Sequence, residues 1–166
     1  VSTFLLEIGT EELPADFTRL AQAQLREAVE EGLASAKLAH GPITVAGTPR
    51  RLAILVDGLP ARQPDLLEER KGPPAAQAFI KGVPSPAAEG FARRCGLEPS
   101  RLEVRDTPKG PFVFATVVTR GRLTTEVLSD LIPHWVSGLQ GRRFMRWGEG
   151  LRRFSRPLRW LVALLD

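Results

Sequence analysis

The chain has few of the residues on which enzymes and disulfide-stapled proteins depend. Cys95 is the single cysteine among 166 residues. An internal disulfide and a cysteine-based zinc site are therefore excluded, and a reducing cytosol suits the composition. Arg94 and Gly96 flank Cys95 at a predicted helix end, but no histidine stands nearby in sequence, so it reads as a buried structural thiol. There are two histidines, His40 in a turn beside Gly41 and His134 after a helix proline, and neither has a metal-spaced partner. No Walker-type loop is present: Lys71-Gly72-Pro73 and Lys109-Gly110-Pro111 read as turns without phosphate-cradling glycine spacing. No apolar stretch approaches the length that spans a membrane. Glu7, Glu11 and Glu12 interrupt the N-terminal apolar run too soon for a signal peptide. Glu11 and Glu12 are adjacent and diverge on a strand or a helix, so they do not form a converging acid–base pair. They read as acids near the start of a helix. No catalytic or metal-binding constellation emerges.

What the chain does have is arginine, unevenly placed. The net charge is only +4. Yet residues 1–36 hold seven acids against Arg19 and Arg26, whereas 141–160 hold seven arginines against Glu149. Such asymmetry points to a polyanion or an acidic partner. The arginines alternate with rings in Arg142-Arg143-Phe144-Met145-Arg146-Trp147-Gly148 and Arg152-Arg153-Phe154-Ser155-Arg156-Pro157, ending at Arg159-Trp160. A guanidinium pairs bidentately with phosphate and stacks on flat rings, which suits a nucleic-acid backbone. The competing reading makes the rings core and the arginines a solvated rim, or partners of the acidic helix near the N-terminus.

Periodicity predicts an α+β fold, with a mixed or antiparallel sheet packed against helices. A buried strand over 4–8 precedes a helix over about 14–37 with Phe17, Leu20, Ala21, Leu25, Ala28, Val29 and Leu33 on its apolar face. Strands follow at 43–46 and 52–56, separated by Pro49. Arg50 and Arg51 project to opposite faces if the second begins there. Residues 60–86 are rich in proline, glycine and charge and read as an excursion from the core. Ser85-Pro86 starts a helix through Phe91 and Cys95, and 102–105 pairs with 112–119. Residues about 60–120 are expected to form a small inserted α+β lobe, leaving 1–59 and 121–166 as the core lobe. Thr124 or Thr125 caps a last helix, which Pro133 should kink or split. Leu158–Leu165 reads as a central strand. The chain lacks an initiating methionine and stops just after this apolar run, and is expected to be part of a longer protein.

Several motifs carry a family resemblance. Thr3-Phe4-Leu5-Leu6-Glu7-Ile8-Gly9-Thr10-Glu11-Glu12-Leu13-Pro14 opens the series. Pro49-Arg50-Arg51-Leu52-Ala53, Lys71-Gly72-Pro73 with Ala78-Phe79, and Ala87-Ala88-Glu89-Gly90-Phe91-Ala92 follow in order. Met145-Arg146-Trp147-Gly148 and Phe154-x-Arg156-Pro157-x-Arg159-Trp160 close it. Together they resemble the N-terminal region of the β subunit of bacterial glycyl-tRNA synthetase. The pattern departs at Gly141-Arg142-Arg143-Phe144, where members of that family often carry a proline-lysine pair.

The resemblance implies a cytoplasmic α2β2 ligase that joins glycine to tRNA(Gly) using ATP. ATP, Mg²⁺ and the class II catalytic site belong to its α subunit, and no cofactor is expected on this chain. The expected partners are the α subunit, tRNA(Gly) and the remaining β domains, with no membrane. The tRNA-binding candidates are Arg142, Arg143, Arg146, Arg152, Arg153 and Arg156, with Arg50 and Arg51. Lys71, Arg93 and Arg94 are weaker candidates. The alternative is a scaffold for the α subunit or later β domains with no RNA contact.

Overall fold

The structure, a computed structural model, describes residues 1–150 and 153–166. The fold is α+β and falls into two compact units, Val1–Pro64 with Arg122–Asp166, and Asp65–Gly121.

The first unit begins with β1 (Ser2–Thr10), α1 (Ala15–Ser35), β2 (Ile43–Thr48) and β3 (Arg51–Leu59). Pro49 and Arg50 form the two-residue turn of the β2–β3 hairpin. Phe4, Leu6 and Ile8 of β1 and Leu52, Ile54 and Val56 of β3 alternate onto one sheet face and are buried. Against them α1 lays Phe17, Ala21, Leu25, Val29 and Leu33, each four residues after the last. Leu20, predicted for the same stripe, is exposed because it falls off the edge of that arc. No side chain of Glu11 or Glu12 caps α1: Pro14 precedes the helix, and Asp16 accepts the Phe17 amide at 2.9 Å.

The second unit contains β4 (Leu66–Pro74), α2 (Ala75–Ala78), β5 (Phe79–Ile80), β6 (Val83–Pro84), α3 (Pro86–Cys95), β7 (Glu103–Thr107) and β8 (Gly110–Thr119). Its antiparallel sheet runs β4-β8-β7. Lys71-Gly72-Pro73 therefore lies within a strand rather than a turn, and the charge-rich start of the 60–86 stretch is sheet. Residues 66–71 are exposed on both faces: Glu68 and Arg70 line a cleft beside α3, and Glu69 on the other face pairs with Arg105. Ser85 caps α3, its Oγ accepting the Ala87 and Ala88 amides at 3.2 and 3.4 Å, and left-handed Gly96 (φ 68°) ends the helix.

The chain then returns to the first unit with α4 (Thr124–Gly138), β9 (Met145–Arg146), β10 (Arg153–Phe154) and β11 (Leu158–Leu165). Pro133 does not split α4. Neither Thr124 nor Thr125 caps it: Thr124 turns its hydroxyl to the Pro60 carbonyl, and the Glu126 carboxylate accepts the Leu123 amide instead, at 3.2 Å. The first unit's sheet has the order β11-β1-β3-β2. β11 is thus an edge strand here, not the central strand its composition predicts.

Candidate nucleic-acid interface

The arginine stretch is anchored by its rings. Phe144 and Phe154 stack around Phe17 of α1, with centroids 5.3 and 5.9 Å from it and 5.6 Å from each other. Edge-to-face contacts of this kind hold the segment on the core. The short β9–β10 ladder pairs Met145 with Phe154 and Arg146 with Arg153. Trp147 donates its indole N–H to the Phe154 carbonyl at 3.1 Å, closing the same hairpin.

This frame sorts the candidates. Arg50 pairs with Glu11 at 3.2 Å, and Arg159 reaches the other Glu11 oxygen, also at 3.2 Å. Arg51 meets Glu7 at 3.4 Å, and Trp160 donates to the second Glu7 oxygen at 2.7 Å. Both Arg50 and Arg51 are therefore paired with acids while remaining exposed. Arg156 donates to the carbonyls of Glu12 (3.0 Å) and Ser155 (3.2 Å). Arg153 donates to the Phe144 carbonyl at 2.8 Å while remaining exposed. Arg142, Arg143 and Arg146 are exposed, and their side chains have no ion pair or hydrogen bond among the described residues. Arg152 lies outside the described residues.

The acids that meet the arginines come from the β1–α1 junction, not from α1 itself. Glu7 and Glu11 tie the end of β1 to β3 and β11, with Gly9 between them lying under the Trp160 ring. The sequence offered no direct sign of this: its partners are scattered through the chain and meet only because β1 lies between β3 and β11.

The weaker candidates fall in the second unit. Lys71 and Arg94 line one cleft of about 750 Å³ with Arg70, Phe91 and Cys95. Arg70, which the motif reading passed over, hydrogen-bonds Glu68 at 2.9 Å. That bond, reinforced by the guanidinium charge, holds the Glu68 carboxyl below its ordinary range. Lys71 sits 3.7 Å from the Phe112 ring centroid. Arg93 is exposed, whereas Cys95 is buried.

Among the described residues, no group of three His, Cys, Asp or Glu side chains is arranged to hold a metal ion. His40 and His134 are both exposed, the first donating to its neighbour's carbonyl at 2.8 Å. Among the described residues, no helix is long and apolar enough to cross a membrane. The arrangement suits binding of an anion: among the described residues, exposed cations flank a packed aromatic base.

Residues 4–166 match the family model described as glycyl-tRNA synthetase beta subunit. A glycine–tRNA ligase beta subunit from Picosynechococcus sp. is 56% identical over 164 residues, covering 99% of this chain. The corresponding protein of Synechocystis sp. is 53% identical over 166 residues, covering 100%. That of Anaeromyxobacter dehalogenans is 45% identical, covering 99%. The chain spans 23% of the length of the two cyanobacterial relatives and 24% of the third.

Proposed function

The chain belongs to the glycyl-tRNA synthetase β-subunit family, and on that premise we propose that it helps hold tRNA(Gly) for ATP-dependent attachment of glycine. In this reading glycine activation, ATP and Mg²⁺ belong to the α subunit of a cytoplasmic α2β2 enzyme. This region positions RNA and takes part in assembly, and contributes no reacting group.

The observation that carries the RNA reading is the cross-strand pair Arg146–Arg153. Like charges directly opposite one another on a ladder destabilise it. A phosphate between two such guanidinium groups converts that repulsion into two charge-assisted hydrogen bonds. Arg142 and Arg143 precede the same hairpin and are exposed beside it in sequence. This reading puts Arg142, Arg143, Arg146 and Arg153 first among the candidate RNA contacts. Phosphate contacts of this kind orient a nucleic acid without reading its bases.

The test uses the full-length β subunit with its α subunit and an Arg142→Gln/Arg146→Gln variant. tRNA binding should weaken several-fold and its dependence on salt should flatten, by about one unit of log–log slope for each phosphate no longer neutralised. Glycine-dependent ATP–pyrophosphate exchange, which needs no tRNA, should be unchanged. Unaltered tRNA affinity and salt slope would end the RNA reading.

A second reading, a scaffold with no RNA contact, is favoured by the internal partners that Arg50, Arg51, Arg156 and Arg159 already have. It expects the same variant to weaken α–β association while leaving tRNA affinity in the assembled enzyme intact.

A further inference from the structure

The two edges of the first unit's sheet are built differently. β2, at one edge, alternates in the ordinary way. Ile43 and Val45 turn to the core, and Thr44, Ala46 and Thr48 are exposed. β11, at the other, is apolar at seven of its eight positions, the exception being Arg159. That is the composition of a strand covered on both faces. Its register gives the same answer residue by residue. Leu161 lies opposite Ile8 and Leu165 opposite Phe4, on the helix-bearing face. Trp160 lies opposite Gly9 and Leu164 opposite Leu5, on the reverse face.

Both faces are nevertheless open. Leu161 and Leu164 are 52% and 59% exposed, and Leu158 and Trp160 41% each. Beside Leu161 a cleft of about 610 Å³ runs along α4 and the β9–β10 hairpin. Its lining includes Pro133, Val136, Trp147, Phe154, Leu158 and Leu161. Val136 and Phe154 belong to the buried core, so the cleft continues the core outward. Sheet edges that stay in water are normally blunted by charge, proline or a bulge. In β11 these devices are confined to its start: Pro157 precedes it, the register with β1 shifts at Arg159, and that guanidinium, the single charge in the strand, is turned back to Glu11, leaving residues 160–165 regular and uncharged.

We propose that β11 is an interior strand of a larger sheet, its free edge and the adjoining cleft covered by an extended apolar segment of the same β-subunit polypeptide lying outside residues 1–166. This rests on the family assignment. The chain accounts for 23% of its relatives' length, so most of such a subunit lies elsewhere in the polypeptide. A tethered segment meets β11 at a far higher effective concentration than a separate molecule does. The surface offers apolar side chains and a free strand edge. It therefore selects an apolar strand, whose backbone completes the ladder and whose side chains fill the cleft, and not a nucleic acid.

The test places a photo-crosslinking amino acid at Leu161, in the cleft, and separately at Leu164, on the reverse face, in the full-length β subunit. Crosslinked peptides are then identified with and without the α subunit and tRNA. The expected product at both positions joins β11 to a β peptide outside residues 1–166 of the same chain, formed equally well by β alone. A crosslink to the α subunit, to an isotopically distinct second β copy or to tRNA would overturn the proposal. So would a product confined to residues 1–166, or none. Aminoacylation of tRNA(Gly) by the unmodified α–β mixture is measured in parallel. If the mixture charges tRNA but the crosslinks go elsewhere, only this proposal fails. If it does not charge tRNA, the reading of the whole subunit fails instead. Agreement between the two positions guards against one variant misfolding.

Discussion

At the scale of single residues, the motif near the N-terminus acts as a clasp. Glu11 bridges Arg50 and Arg159, Glu7 bridges Arg51 and Trp160, and Gly9 leaves room for the indole between them. Each of these ion pairs is partly exposed and on its own is worth little, roughly 0.2–1 kcal/mol. Shared acceptors mean that one ordered carboxylate serves two partners. A Cβ on Gly9 would sit 1.9 Å from Trp160 Cε2, so the ring must leave. Gly9→Ala should therefore destabilise the first unit by about 1–3 kcal/mol, the usual cost of overpacking. It should also shift the Trp160 indole N–H resonance away from its hydrogen-bonded position. Trp160→Leu in the Gly9→Ala background should recover part of the stability, and the double-mutant cycle measures the coupling. An unchanged indole resonance in Gly9→Ala would contradict the clasp. The sequence showed acids, arginines and a glycine as separate motifs. It did not show them meeting, because salt bridges depend on which strand ends are brought together and not on spacing along the chain.

At the scale of elements, local chemistry was legible wherever it was self-contained. Ser85-Pro86 and Gly96 bracket α3 as expected, because a cap is satisfied by amides within three residues of it. Ser85→Ala should cost about 1 kcal/mol, read as a lowered midpoint of chemical unfolding and faster exchange of the Ala87 and Ala88 amides. Full retention of both would mean that the cap contributes nothing. Ser85 also donates to the Gln77 carbonyl at 2.6 Å, which pushes the expected loss to the upper part of the usual range. Legibility failed where a tertiary partner competed. Thr124 resembles a cap in sequence, but the carbonyl of Pro60 claims its hydroxyl. Glu11 and Glu12 resemble helix-start acids, but Glu11 is held by two arginines. Residues 66–74 look irregular because β4 is exposed on both faces over 66–71 and charged at four successive positions, so no apolar alternation shows. Their pairing with the more regular β8 makes them a strand.

At the scale of the whole molecule, two cores are present, and they differ in kind. The first is rich in leucine, isoleucine, valine and phenylalanine. The second is small, half of it alanine, around Phe91 with Leu102, Val113 and Cys95. Phe91 also packs against Gly72, where a Cβ would come within 2.6 Å of its ring. Phe91→Ala should cost about 3–5 kcal/mol, a large part of what a small core supplies. Amide protection at Val113 and Ala115 should collapse in that variant, while Phe91→Leu should keep most of it. Undiminished protection in Phe91→Ala would show that the ring does not hold this unit together. By itself the sequence determined the α+β class, the amphipathic α1, the capped α3 and the family. Each follows from periodicity, local caps or motifs carried along the chain. Only the tertiary structure decided which arginines are tied to acids and which have no such partner among the described residues, since that turns on partners brought together by strand pairing. It also decided that β11 lies at an edge: an apolar sequence records that a strand is to be covered, but not what covers it.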